Sequence, residues 1–493
     1  MELAEDLKAC LSRFDEATLV EVRENGDRVA TIAPFSWELR GAAEKPLLSV
    51  RSEQYNVTHR ILGIAANDDG RLALSFERFG KSRPGRLEFL RVEFVRTAKE
   101  VARKDFCLRL ARVLSERFPD EILESLTIAP DLEHSFADNY ARGILGSGDK
   151  CWALLAVPDC EPVSTSENSL TFGLLWLARV RETSRKGYVA GLRLIVAKGA
   201  RATLAHLGKA VSSSIELEVY AFDPRNESLL PVDPNSFANR ENWLVTCRQR
   251  ESLLDRAGSE VNAIVAKAPQ AVTLHANTQA NEVVLRFRGL AFARWEDGVI
   301  YFGAAGDLRK KLMPSTQAEL ERVLHDLETY RHPLATDKRH PLYRAQPERW
   351  LEAIVRSDVT RVDASLDPRF VYTQLFTNSV SERGILDILT VTTSGRLAII
   401  ELKASEHIHL PLQAADYWVR IRHHLEQGNF FSSGYFPQRQ IQNAAPLVYL
   451  VAPALRFHPT TGVVLRQLSS SMEVVRVGVA ESWRRGIRVV MRQ

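Results

Sequence analysis

GILDILTVTTSGRLAIIELKASEHIHLPLQAADY, residues 384–417, decides how this chain is read. Two apolar runs, ILDILTV and LAIIELK, flank a turn at Thr393-Ser394-Gly395-Arg396. Turn residues between β-branched flanks predict a hairpin. Glu401 and Lys403 interrupt the second run two residues apart, so on a strand they point to one face. Asp387 interrupts the first run in the same way. Burying two acids and a lysine on one sheet costs several kcal/mol unless they pair or hold a metal.

The charges suggest a chemistry. Asp387 and Glu401 supply hard oxygens suited to Mg²⁺ or Mn²⁺, and the carbonyl of Leu402 between Glu401 and Lys403 adds a third. Lys403 would then stand beside a metal-bound water, orienting it or stabilising charge growing on a phosphate. That is the machinery of phosphodiester hydrolysis. The plain alternative is a structural ion pair between Glu401 and Lys403.

Asp387 followed by Glu401-Leu402-Lys403 resembles the D…ExK motif of the PD-(D/E)XK nuclease superfamily. Leu386 stands where the motif name has proline. Gln413-Ala-Ala-Asp-Tyr417 follows on a predicted helix and resembles the QxxxY motif of the RecB-like branch, with Gln413 and Tyr417 on one helical face. Upstream, Glu348-Arg-Trp-Leu-Glu352 opens a helix after Pro347, a favoured first-turn position. The order of these elements is most similar to the nuclease domain of NucS-type endonucleases, over roughly residues 340–493. The resemblance implies a restriction-endonuclease-like mixed sheet flanked by helices. It implies a Mg²⁺- or Mn²⁺-dependent DNA endonuclease in repair or in defence against foreign DNA. Asp387, Glu401, the Leu402 carbonyl and Glu352 would bind metal, Glu352 being preferred to Glu348. Lys403 would assist the water, with Gln413 and Tyr417 supporting the lysine and the strand. Arg420 and Arg422 on the same helix, and Arg484, Arg485, Arg488 and Arg492 near the end, would contact phosphates. A nucleic-acid-binding protein on a nuclease scaffold and an RNA-cleaving enzyme stand as alternatives.

Composition bounds the rest. At 493 residues, three or four domains are expected. With 45% hydrophobic and 26% charged residues the chain reads as an ordinary soluble globular protein. A net charge of +4 permits nucleic-acid binding without arguing for it. Cys10, Cys107, Cys151, Cys160 and Cys247 form no CxxC pair, which argues against a zinc site or disulfide framework. The acidic start MELAEDLKAC lacks a signal-peptide core, and the apolar stretch around Leu170–Val180 is too short to span a membrane, so the expected compartment is the cytoplasm. No Walker motif and no sequence-reading element is recognised.

Farther out, the chain echoes itself. Ser125-Leu126 through Arg142-Gly-Ile-Leu145 parallels Ser365-Leu366 through Arg383-Gly-Ile-Leu386. CWALLAVPDCE (151–161) lines up with RLAIIELKASE (396–406), and SSSIELEVYAFD (212–223) with SSSMEVVRVGVA (469–480). Common order at an offset near 240 residues reads as an internal repeat whose first copy has lost its chemistry. In that alignment Gly146 stands for Asp387, Ala156 for Glu401, Pro158 for Lys403 and Phe172 for Gln413. Four segments follow: a small β-rich domain (1–97), a degenerate nuclease-like α/β domain (98–250), a second β-rich domain with a linker helix (251–335), and the nuclease domain (336–493).

Finer expectations fill these segments. A short helix over 1–20 precedes hairpins at Asn25-Gly26-Asp27 and around Asp68-Asp69-Gly70. A helix covers 98–117. Residues 224–258 are a connecting region, and 259–313 read as strands, a second copy of the N-terminal β domain. There Arg286, Arg288 and Arg294 alternate with Phe287, Phe292 and Trp295. A solvated basic face is preferred to a nucleic-acid stacking platform. A helix at 317–330 leads into the nuclease domain. His407, His409, His423 and His424 read as surface histidines. Double-strand cleavage would require a homodimer or a partner protein, because one site cuts one strand.

Overall fold

The computed structural model describes residues 2–14, 19–32, 36–41, 44–51, 56–68, 70–77, 84–184, 188–197, 204, 207–233, 244–303, 308, 310–373, 375 and 386–493. Arg383, Gly384 and Ile385 of the second RGIL echo lie outside them, as do Asp69 and all of residues 234–243. The described residues form a mixed α/β protein with four sheets and eleven α-helices. Among them no helix is long and apolar enough to cross a membrane.

The chain divides into two compact units, Met1–Leu110 and Ala111–Gln493. The first begins with helix Glu2–Ser12 and a seven-stranded antiparallel sheet: β1 (Val20–Glu24), β2 (Asp27–Ile32), β3 (Ser36–Arg40), β4 (Leu47–Arg51), β5 (Asn56–Asp68), β6 (Arg71–Phe76) and β7 (Gly85–Arg91), in the order β2-β1-β7-β6-β5-β4-β3. Asn25 and Gly26 take positive φ in the β1–β2 turn, as the hairpin signal requires. The helix expected at 98–117 begins earlier, at Val92.

The second unit holds the other three sheets. The first comprises β8 (Ile122–Thr127), β9 (Ala141–Ser147), β10 (Lys150–Ala156), β11 (Tyr188–Ala197), β12 (Glu216–Asp223) and β13 (Ser228–Val232) in reverse sequence order. The β9–β10 pair is antiparallel, β10–β11 and β11–β12 are parallel, and β12–β13 is antiparallel. Helix Ser169–Thr183 makes the crossover between β10 and β11, since parallel neighbours need a long connection.

Next comes a meander, β14 (Val272–Asn277), β15 (Glu282–Phe287), β16 (Leu290–Glu296), β17 (Val299–Phe302) and β18 (Lys310–Lys311). Its five strands run in sequence order, unlike the seven-stranded sheet, so the strand order does not repeat the N-terminal domain. Residues 259–265, expected as strand, belong instead to helix Cys247–Val265. A Thr246–Gln249 capping box starts it, and Leu253, Ala257, Val261 and Ile264 form a buried stripe at helical spacing. That periodicity is legible in the sequence. The connecting region is therefore shorter than expected. Helix Gln317–Tyr330 falls where the sequence put it.

The last sheet comprises β19 (Ile388–Val391), β20 (Leu397–Leu402), β21 (Leu447–Pro453), β22 (Val474–Val479) and β23 (Val489–Arg492). Its pairings run antiparallel, parallel, parallel, antiparallel, as from β9 to β13. Helix Leu410–Glu426 makes the corresponding crossover. One face of this sheet, with Leu389, Val391, Leu397 and Ile399, joins an apolar core that continues through the β8–β13 half. The other face, with Ile388, Ala398, Ile400 and Leu402, packs on Trp350, Leu351 and Val355 of helix Pro347–Ser357.

Candidate active site

The β19–β20 hairpin forms as expected, with Gly395 at positive φ in its turn. Ile388 pairs with Ile400, so Asp387, one residue earlier, lies across from Glu401. The Asp387 Oδ2 accepts the Leu402 N–H at 2.9 Å, which fixes one oxygen, while Oδ1 lies 3.7 Å from Arg349 Nη1. Lys403 lies just past the strand end, and its N–H still donates to the Val451 carbonyl at 3.0 Å. The ladder thus holds Lys403 on the Glu401 face, with Nζ 3.2 Å from Glu401 Oε1.

The acids are short of partners. Glu401 is 2% exposed, and its Oε2 has no hydrogen-bond partner among the described residues. Burial and then the charge of Glu401 push Asp387 well above the ordinary carboxylate range. Burial likewise pushes Glu401 up, against the pull of Lys403. Burial opposes the charge on Lys403, but Glu401 and Asp387 outweigh it and hold the ammonium above its usual pKa. The buried Glu401 and the half-buried Asp387 thus share the charges of Lys403 and, 3.7 Å from Asp387, of Arg349.

Helix Leu410–Glu426 carries Tyr417 to the same place, with Gln413 one turn earlier on the same helix face. Burial, then Glu401 and Asp387, raise the Tyr417 pKa well above its usual value. Gln413 Oε1 is buried without a hydrogen-bond partner among the described residues. The remaining expectations divide. Arg420 is buried and paired with Asp416 at 3.0 Å, while Arg422 pairs with Glu426 at 2.9 Å and borders a cleft of about 320 Å³ with Lys209, Trp418 and His423. Arg484 stacks on Trp483, and Arg492 pairs with Asp363 at 2.6 Å. His424 is buried rather than on the surface.

Glu352 is buried on helix Pro347–Ser357, but Arg349 intervenes. Its Nη1 lies 2.7 Å from Glu352 and 3.7 Å from Asp387. Among the described residues no group of three or more His, Cys, Asp or Glu side chains is gathered closely enough to hold a metal ion. Asp387, Glu401 and the Leu402 carbonyl are the oxygens that fit a hard divalent cation. The orphaned Glu401 Oε2 is the observation behind that fit.

A basic cluster beside these acids was not legible as such. Phe287, Phe292 and Trp295 are buried core residues, so the stacking platform does not exist. Arg288 donates to the Arg331 carbonyl at 2.5 Å, and Arg294 pairs with Glu296 at 3.5 Å. Arg286 differs. Strand β15 pairs Arg286 with Thr273 of β14, placing it on the His275 face. Arg356 Nη1 lies 3.2 Å from His275 Nε2, and Arg349, Glu352 and Arg356 share one face of their helix. Burial and then Arg349 lower the Arg286 pKa to about 10. Burial and then Arg286, Arg356 and Arg349 push the His275 pKa well below its ordinary value. Three guanidiniums thus crowd together around Glu352. Arg331 holds the sheet in place here, donating to the carbonyls of Phe287 and Arg288 on β14–β18 and of Leu342 and Ala345 ahead of the helix, at 2.7–3.2 Å.

No family model matches the chain, and no curated protein matches it significantly.

Proposed function

We propose that this chain is a divalent-metal-dependent nuclease that hydrolyses phosphodiester bonds in DNA, on a restriction-endonuclease-like sheet. The observation that carries the reading is the Asp387–Glu401 pair across the hairpin, with an orphaned oxygen on the buried Glu401 and Lys403 Nζ at 3.2 Å. Asp387, Glu401 and the Leu402 carbonyl would hold a divalent ion, which would supply positive charge and a nucleophilic water near neutral pH. Lys403 orients the attacking water and offsets charge developing on the phosphate. Tyr417 and Gln413 cover the site from the helix and restrict where the lysine and the strand lie. The Arg286–Arg349–Arg356 cluster receives a neighbouring substrate phosphate, whose charge relieves the repulsion among three guanidiniums.

Labelled single-stranded, duplex, forked and mismatched DNA, with RNA alongside, would be incubated in Mg²⁺ or Mn²⁺ with wild type, Lys403→Ala and Glu401→Ala. Cleavage by wild type that both variants lose supports the site and ranks the substrates. Equal cleavage by all three defeats it. A second reading is nucleic-acid binding without catalysis. It is favoured by the absence, among the described residues, of a gathered three-ligand set. Metal-independent binding with no cleavage of any substrate would select it.

A further inference from the structure

The β8–β13 and β19–β23 halves meet through reciprocal contacts. The Ser212 N–H donates to the Gln467 carbonyl at 2.9 Å, and the Ser469 N–H donates to the Ala210 carbonyl at 2.7 Å. Between them Val211 and Leu468 form an antiparallel bridge. Exchanging 210–212 for 467–469 maps each bond onto the other. Each segment continues into a matching turn, with Ser212 Oγ 2.9 Å from Ser214 Oγ and Ser469 Oγ 2.8 Å from Ser471 Oγ. Helical packing is reciprocal too. The turn Leu207–Ala210 packs on helix Leu410–Glu426, and helix Thr461–Leu465 packs on helix Ser169–Thr183. Leu207, Val211, Trp418, Val464 and Leu468 are buried in one shared core. This is how two copies of a chain meet across a twofold axis, with the same patch on both sides.

The reciprocal contact also fixes which residues correspond. Val219 follows Val211 at the spacing by which Arg476 follows Leu468. Val219 pairs with Leu194, and Leu194 with Leu155. Arg476 pairs with Leu450, and Leu450 with Glu401. Leu155 pairs with Arg142, at the position that Asp387 takes opposite Glu401. The counterparts are therefore Arg142 for Asp387, Leu155 for Glu401 and Val157 for Lys403. The sequence alignment gave Gly146, Ala156 and Pro158, which is a register slip: Gly146 pairs with Cys151, nearer the turn. A one-residue slip on a strand exchanges the faces. Arg142 is 3% exposed and lies over the rings of Phe136 and Trp176. A guanidinium in the acid's place repels a cation, and Leu155 and Val157 offer it no ligand.

We infer that the two halves are a built-in dimer in which the β8–β13 half, with Arg142, Leu155 and Val157 in place of Asp387, Glu401 and Lys403, occupies the pairing surface of the β19–β23 half, so that the chain nicks duplex DNA on one strand per binding event. This rests on the nuclease reading above. Hydrolysis at the single site adds one water across one P–O bond, leaving a phosphate on one end and a hydroxyl on the other. The second strand meets Arg142, Leu155 and Val157 at the matching positions instead of Asp387, Glu401 and Lys403.

Full-length protein in excess over supercoiled plasmid, with Mg²⁺ or Mn²⁺, tests it, together with light scattering of the same sample. The expected result is a monomer near 55.5 kDa that converts plasmid to open circles, with linear DNA appearing only after many nicks. Linear DNA formed as fast as the first cut overturns the inference, and so does a stable dimer. Absence of cleavage on every nucleic acid overturns the nuclease reading instead, while the measured mass still decides the built-in pair.

Discussion

Two sheets in one chain share strand directions and crossover helices, yet their interiors carry opposite chemistry. At the end of the β9–β10 hairpin stand Arg142, Leu155 and Val157; at the end of the β19–β20 hairpin stand Asp387, Glu401 and Lys403. The first set packs, with Arg142 over the rings of Phe136 and Trp176, although its Nε too has no hydrogen-bond partner among the described residues. The second leaves a buried carboxylate oxygen with no partner among the described residues. Sites of function are where local rules of burial are broken without compensation inside the fold. The sharpest way to break the comparison is to change matched positions. Glu401→Gln removes a buried charge and keeps the shape; it takes cleavage to background and leaves the melting temperature equal or higher. Leu155→Ala opens a cavity at a fully buried position, costing about 2–5 kcal/mol in denaturant melts, while the folded fraction cleaves at the wild-type rate. The opposite pattern, activity lost at Leu155 and kept at Glu401, would move the site to the other half. Lys403→Ala is expected to cost about 10²–10³-fold in kcat, measured in single-turnover cleavage.

A smaller effect separates the acids from the arginines beside them. Arg286→Ala and Arg356→Ala each remove a charged hydrogen-bond donor to a phosphate, worth about 1.5–3 kcal/mol. KM rises roughly 10- to 100-fold by that measure, with kcat nearly kept. The slope of log affinity against log salt falls by about one for each arginine removed. A loss of kcat with unchanged KM and salt slope would make these side chains part of the fold rather than of substrate binding. Gly289→Ala tests how the cluster is held. Gly289 has φ +83, and a Cβ there would overlap the Arg349 carbonyl. Strain of about 1–3 kcal/mol is expected in the apo melt, with a rise in KM as Arg349 shifts.

Most of the site was legible because it depends on two-residue and four-residue periodicities. Glu401 and Lys403 on one strand face, and Gln413 and Tyr417 on one helix face, needed only spacing. The Glu352 carboxylate was found, but not Arg349, which stands between it and Asp387. A cross-helix ion pair has no sequence signature beyond the i, i+3 spacing, which occurs everywhere. Arg286 was hidden for a different reason. Its alternation with Phe287 reads as one solvated face, and only the approach of helix Pro347–Ser357 to the β14–β18 sheet, with Arg356 3.2 Å from His275 and the Arg349 backbone against Gly289, turns that face inward. The echo between the halves was visible in the sequence. Its register was not, because RGIL is matched by identity while the strands are matched by hydrogen bonding.

The smallest effect concerns pH and asks whether the acids of the two-sheet comparison are a burden on the fold. Burial raises the pKa of Asp387 and Glu401 in the folded protein above the ordinary carboxylate value. A group of this kind binds its proton more tightly when folded. Its contribution is fully present below the unfolded pKa and is lost as pH rises through the folded one. The metal-free wild type should therefore melt below Glu401→Gln at pH 7–8, by a few degrees, with the gap closing toward pH 4. Leu155 does not titrate, so the Leu155→Ala deficit should keep its size over the same range. Adding Mg²⁺ at pH 7.5 should raise the wild-type melting temperature and leave Glu401→Gln nearly unmoved. A gap that widens on acidification would mean that Lys403 already neutralises Glu401, and that the pair is a structural salt bridge of the kind the other half does without.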